Sequence, residues 1–239
     1  MRKTVSILSL LLVTFSLAAQ QQEEIIRFQH VAGQGSTLFR GEQAERYLFP
    51  ANGNPYWESA EFSVGNIRIR GRDYYDISLN VDAVAQLALV QVPGSQSAVS
   101  VSPAALDYME TGDRLFVGVT DNGKIPDGIY EVFGRGPEHV YKSVRKHLSY
   151  STNNVNGSAI GYRDAHYRDD VTRYFEISVK YYFLDADGNF SRIRGKGALM
   201  NKFPERRKAL RKAIRGAGLD YADVPFDKYC KSLLKFAQQ

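Results

Sequence analysis

The sequence predicts an α+β fold, predominantly an antiparallel β sheet or half-open barrel with a C-terminal helical pair. Three observations carry this. Apolar and polar residues alternate through Asn66–Arg70 and again through Tyr75–Val81, the period of half-buried strands. The alternation returns late in the chain, where Phe175, Ile177, Val179, Tyr181 and Phe183 are interleaved with Glu176, Ser178 and Lys180. Beyond Lys202 the spacing becomes helical.

The central stretch, Tyr56–Val92, reads as a short apolar segment followed by a meander of strands. A loop at Gly71–Asp73 sets Ile69 opposite Tyr75, Ile67 opposite Ile77 and Arg68 opposite Asp76. A loop one residue shorter places Ile67 opposite Asp76 and mismatches both faces, which favours the longer one. Ala85–Val92 is almost continuously apolar and is expected to be covered on both faces. A loop at Asp82–Val84 then brings Leu87 to Leu79 and Leu89 to Ile77. On this reading Ile67–Val81 and Phe175–Phe183 point into one shared apolar interior.

At the start, Arg2 and Lys3 precede the apolar run Val5–Leu17 and the small residues Ala18 and Ala19, the pattern of a signal peptide over residues 1–19. The apolar run is too short to span a bilayer. The expectation is an exported chain, periplasmic or secreted, with a β-rich body over 20–201 and a helical C-terminal segment over 202–239 packed on the same domain. The formal charge is +5, of which Arg2 and Lys3 supply two. That mild balance, with export, argues against nucleic acid as the partner. The single cysteine, Cys230, has no internal disulfide partner, so packing alone must hold the fold.

Along the chain, Leu38–Leu48 reads as a short strand or helical turn, and Asn52–Pro55 as a turn that presents Tyr56 and Trp57 to one end of the core. Strands are expected at Ala98–Val101, Arg114–Val119 and Gly128–Phe133, with a helical turn capped by Ser102 running to Met109. His139–Tyr150 fits both periods, and its neighbours favour a strand. Ser151–Asp170 reads as a long polar loop. Asp185–Asn189 turns Phe175–Phe183 back into Phe190–Arg194. Helices follow at Pro204–Gly216 and Phe226–Phe236.

Candidate sites are of two kinds. Within the polar loop, Arg163, His166, Tyr167, Arg168 and Asp169 combine guanidinium forks, an aromatic face, an imidazole and a carboxylate, suited to binding an anionic or glycan ligand. The alternative is a loop whose charges pair with one another. The basic run Arg206–Arg215 offers Arg206, Arg207, Arg211 and Lys212 to a polyanion, against a solvated outer helix face. Arg68, Arg70 and Arg72 form a third basic stripe, for which Asp76 supplies a cross-strand partner. Asp185, Asp187 and Asn189 lack the glycine and glutamate positions of a calcium loop, and His30, His139, His147 and His166 form no zinc pattern. Cys230 reads as a small buried hydrophobe, no Gly-x-Ser-x-Gly elbow is present, and no cofactor is implied.

The leader, the Asn52–Trp57 turn, the Gly65–Val92 meander and the tyrosine-rich hairpin feeding basic helices together resemble a loose class of exported Gram-negative envelope proteins. The resemblance implies a structural plan and carries no residue roles. The functional expectation is a non-enzymatic binding or accessory protein of the bacterial cell envelope, meeting an envelope protein or an anionic glycan or lipid. Two alternatives stand beside it: a carrier of a lipid or other apolar ligand in a β cavity, and a glycan-directed hydrolase using His166 or Asp169.

Overall fold

The computed structural model describes residues 37–152 and 171–238. Its strands are β1 (Ser63–Ile69), β2 (Arg72–Asp82), β3 (Leu87–Gln91), β4 (Ala98–Val101), β5 (Leu106–Thr111), β6 (Arg114–Val119), β7 (Gly128–Phe133), β8 (His139–Thr152), β9 (Val171–Leu184) and β10 (Phe190–Ile193). A 3-10 turn spans Thr37–Arg40, and the helices are α1 (Lys196–Met200), α2 (Arg207–Gly216) and α3 (Phe226–Ala237). Among the described residues the strands form one antiparallel sheet, ordered β10-β9-β8-β7-β6-β5-β1-β2-β3-β4. It does not close, so the fold is an antiparallel sheet rolled into a half-open barrel with helices at its C-terminal end.

The roll follows from one connection. In a flat sheet, β4 and β5 would stand four strand spacings apart, about 19 Å. They are joined only by Ser102–Ala105, folded into a turn in which the Ala105 and Leu106 amides both donate to the Ser102 carbonyl. Ends joined by so tight a turn lie within about 7 Å, so the sheet must curl until β4 comes round to β5. The link then passes over β6 at Gly118, where a Cβ would run into the Pro103 carbonyl.

The sequence expectation for the β1–β2 loop is corrected here. The turn has two residues, Arg70 and Gly71, at φ 48° and 78°. Its left-handed pair matches the twist of the strands it joins, which is why two-residue turns of this kind are favoured. Left alone, it would turn the apolar set of β2 outward. A bulge restores the faces: Ile67 pairs with Tyr74 and Gly65 with Ile77, so Tyr75 and Asp76 together oppose Asn66. Asp76 takes φ 55°. Ile67, Ile77, Leu79 and Val81 all point inward as a result. Arg68 meets Asp73 and Asp107, each at 3.8 Å, and not Asp76.

Other registers shift for similar reasons. The β2–β3 turn occupies Ala83–Gln86, so Val90 meets Leu79 and Ala88 meets Val81, displacing the expected pairs. Ala88, Leu89 and Val90 are buried in succession, as a strand covered on both faces requires. The expected helical turn to Met109 is strand β5. A second bulge, where Ile69 pairs with Leu106 and Arg68 with Tyr108, places Leu106 and Met109 on the inside three residues apart and so imitates helical spacing.

The barrel gap is bridged by irregular chain. Asn52 exchanges backbone bonds with β9, donating to the Arg173 carbonyl and accepting from the Phe175 amide, at 2.8 and 3.2 Å. A few residues on, Trp57 donates to Val81 and Ala83 to Pro55, both at 2.9 Å. Trp57 thereby enters the first core, edge-on to Phe116. That core also holds Leu38, Ile67, Ile77, Leu79, Met109 and Ile129.

Phe183 belongs elsewhere. It lies in a second core with Ile193, Leu199, Phe203, Leu210, Ile214 and Leu233, where the helices cover the β7–β10 end. The single shared interior expected from sequence is thus divided, and Tyr182 joins a third, smaller cluster with Ile125 and Tyr130. Ile177 and Val179, expected inward, are 61% and 44% exposed. The cause is length: β8 and β9 pair over their full fourteen residues, whereas β7 covers β8 only at Val140–Lys142 and β10 covers β9 only at Tyr181–Leu184. The middle of β9, strand-paired with β8 alone, therefore runs past β7 and β10, and Ile177 and Val179 face water.

Candidate functional site

Helix α2 is held chiefly by what it buries. Leu210 and Ile214 sit in the second core, each contributing roughly 1.5–3 kcal/mol by leaving water. No side chain caps its N-terminus, and no acidic residue lies in its first turn.

Its outward face carries Arg207, Lys208, Arg211, Lys212 and Arg215, all exposed. Their spacing makes like-charge pairs one turn apart, Arg207 with Arg211, Lys208 with Lys212 and Arg211 with Arg215. Each such pair costs a few tenths of a kcal/mol, about 0.2–0.5. Arg207 and Lys208 also stand at the positive end of the helix dipole, where a cation is unfavourable. Neutralising acids are few. Glu205 lies on the same open groove, and Asp220 reaches Arg215 at 3.5 Å. The face is a concentrated positive surface that works against the helix bearing it.

Arg206 behaves differently. Its Nη1 donates to the Ala237 carbonyl, satisfying an orphan acceptor at the end of α3 and tying the two helices together. Of the sequence candidates, Arg207, Arg211 and Lys212 share the face, completed by Lys208 and Arg215, while Arg206 is occupied in holding it.

A charged junction fixes α3, and through it α2, on the sheet. Glu131, on β7 and nearly buried, receives both nitrogens of the Arg114 fork at 3.2 Å. Lys142, on β8, lies 3.7 Å from Glu131 and 2.5 Å from Asp227 at the start of α3. Tyr181 donates its hydroxyl to the other Asp227 oxygen at 2.6 Å. Burial, then this bond to a carboxylate, pushes the Tyr181 phenol far above its ordinary range. Lys231 completes the network, bridging to Asp113 at 3.0 Å and holding that carboxyl below its usual range. Buried charges survive when so fully paired. This network was not visible in the sequence, because Glu131, Lys142 and Asp227 look there like isolated polar positions.

Cys230 is fully buried, and burial pushes its thiol up, away from nucleophilic use. Asp185 spends Oδ1 on the amides of Asp187 and Asn189, at 3.1 and 2.7 Å, as a hairpin turn requires. Among the described residues no group of His, Cys, Asp and Glu is arranged to hold a metal ion. Arg163, His166, Tyr167, Arg168 and Asp169 lie outside the described residues. No helix of the described chain is long and apolar enough to cross a membrane.

Comparison with protein-family models, with curated proteins and with solved structures finds no match for this chain.

Proposed function

We propose that the protein is a non-enzymatic, exported binding or accessory protein of the bacterial cell envelope, whose contact surface is the basic face of α2. The observation that supports this is the energetic direction of the charge. Arg207, Lys208, Arg211, Lys212 and Arg215 repel one another at helical spacing and oppose the dipole at the helix start. A face selected only to solvate the helix would interleave acids. A polyanion supplies what is missing, since closely spaced phosphates or carboxylates on a lipid surface or envelope glycan would neutralise all five cations at once. The Arg114–Glu131–Lys142–Asp227 junction supports the reading further by presenting the face on a rigid base.

The test is co-sedimentation of the chain with vesicles. Vesicles rich in anionic phospholipid are expected to carry the protein down at low salt and release it as salt rises, whereas neutral vesicles leave it in solution. A soluble acidic polysaccharide that competes the protein off the vesicles would assign the natural partner to the glycan class. Equal sedimentation with neutral vesicles, or binding indifferent to salt, contradicts the proposal.

A further inference from the structure

The roll of the sheet leaves a seam between the β1–β2 turn and β4, and the seam is hollow. It forms an open-sided cavity of about 590 Å³, within the range of roughly 300–1,000 Å³ usual for small-molecule sites. Its inner wall is apolar, made by Leu38, Ile69, Tyr74, Leu87, Val99 and Val101, each buried or half-buried. One side of that wall depends on Gly41, where any Cβ would strike the Val99 side chain. The chain at Gly41–Ala44 therefore lies flat along the free edge of β4, bonded there through Glu42 and Ala44.

The rim has the opposite character. Arg70 in the turn and Arg72 just after it are exposed, and form no ion pair or side-chain hydrogen bond with any described residue. Arg68, two positions earlier, shows the contrast, since it meets both Asp73 and Asp107. Glu42 also lines the cavity, and its backbone carbonyl accepts from the Ser100 amide and hydroxyl. Arg70 is moreover held at φ 48°, in a turn position that suits Asn or Gly better.

We propose that this seam binds a carboxylate-bearing amphiphile, its hydrocarbon chain in the cavity and its carboxylate on the guanidinium groups of Arg70 and Arg72. The apolar wall selects a hydrocarbon body. The two cations at its mouth, unpaired among the described residues, select an anionic head, and the planar guanidinium fork matches a carboxylate with two parallel hydrogen bonds. The site is on a different part of the molecule from the basic face of α2 and does not depend on it.

The test is calorimetric titration of the full chain with dodecanoate and dodecyl phosphate below their micellar concentrations and with dodecanol below its solubility limit. Dodecanoate is expected to bind at one equivalent, and dodecanol about tenfold more weakly or worse, because it lacks the charge. The double variant Arg70→Gln, Arg72→Gln should lose about tenfold in dodecanoate affinity and leave dodecanol unchanged. Leu87→Trp, which fills the cavity, should abolish both. Because Arg70 and Arg72 are exposed, their replacement leaves the fold intact and decides the matter even where Leu87→Trp melts early. Absence of dodecanoate binding, equal affinity for dodecanoate and dodecanol, or indifference to the double variant overturns the proposal. Tighter binding of dodecyl phosphate than of dodecanoate overturns the carboxylate assignment.

Discussion

The ammonium of Lys142 lies 2.5 Å from the carboxylate of Asp227, joining the middle of the sheet to the first turn of the last helix. Both groups have further partners, Glu131 for the lysine and the Tyr181 hydroxyl for the aspartate. Removing one member leaves the others buried with a partner missing, the situation in which a buried pair matters most. Asp227→Ala is expected to destabilise the protein by about 2–3 kcal/mol in urea unfolding, with Tyr181→Phe costing about 1 kcal/mol. A cost for Asp227→Ala below that of Tyr181→Phe would mean the junction is not what fixes α3.

A second link, from Tyr108 to Asp73 at 2.9 Å, makes stability depend on pH. Burial, and then this hydrogen bond, push the Tyr108 phenol up to about 12 from 10.0. The folded chain therefore holds the proton more tightly than the unfolded one. Its stabilising effect is complete below pH 10.0 and is lost as pH rises through about 12. Lys146, pushed down by desolvation, works in the opposite sense, so the informative comparison is between wild type and Tyr108→Phe. Denaturant midpoints measured across this window should fall less steeply in the variant. Ultraviolet titration of tyrosinate should show one fewer late-titrating group.

The rolled sheet requires the β4–β5 link to press on β6. At Gly118 an added methyl group would meet the Pro103 carbonyl and the neighbouring Leu106 carbonyl, both backbone atoms that cannot rotate away. Gly118→Ala is expected to cost about 3 kcal/mol or more, seen as a large drop in melting temperature or loss of soluble protein. Gly71→Ala, in open space but at φ 78°, should cost only about 1 kcal/mol.

At the β1–β2 turn, function and stability are expected to pull apart. Arg70 occupies a left-handed position at which Asn is more comfortable. Arg70→Asn should raise stability by about 0.5–1 kcal/mol in thermal melting. The same variant should weaken binding of a carboxylate amphiphile at the seam.

Much of this architecture was readable because alternation survives in the chain. Ile67, Ile77, Leu79 and Val81 announced their face, and the strand spacing of Val140, Lys142, Val144, Lys146 and Leu148 was the correct reading of an ambiguous run. Bulges were invisible, since nothing in Asp76 or Asp107 marks an extra residue on one strand. Ile177 and Val179 misled because alternation reports which side chains share a face, and only the lengths of neighbouring strands decide whether that face is covered. The basic run of α2 was legible as composition. The separate duty of Arg206 was not, because its acceptor lies thirty-one residues away at the end of α3. Nor did the sequence separate Arg70 and Arg72 from Arg68, a distinction made by a turn one residue shorter than the faces alone imply.

The central claim is that α2 bears its charge for a partner and at the expense of its own stability. Thermal melting of wild type and of a variant with Arg207, Lys208, Arg211, Lys212 and Arg215 all changed to Gln, with and without an excess of soluble polyanion, tests both halves together. Wild type is expected to melt higher when polyanion is present. The variant should melt at or above the wild-type temperature when alone, relieved of like-charge repulsion, and should not respond to polyanion. A variant that melts well below wild type, or that gains as much from polyanion as wild type does, would contradict the account.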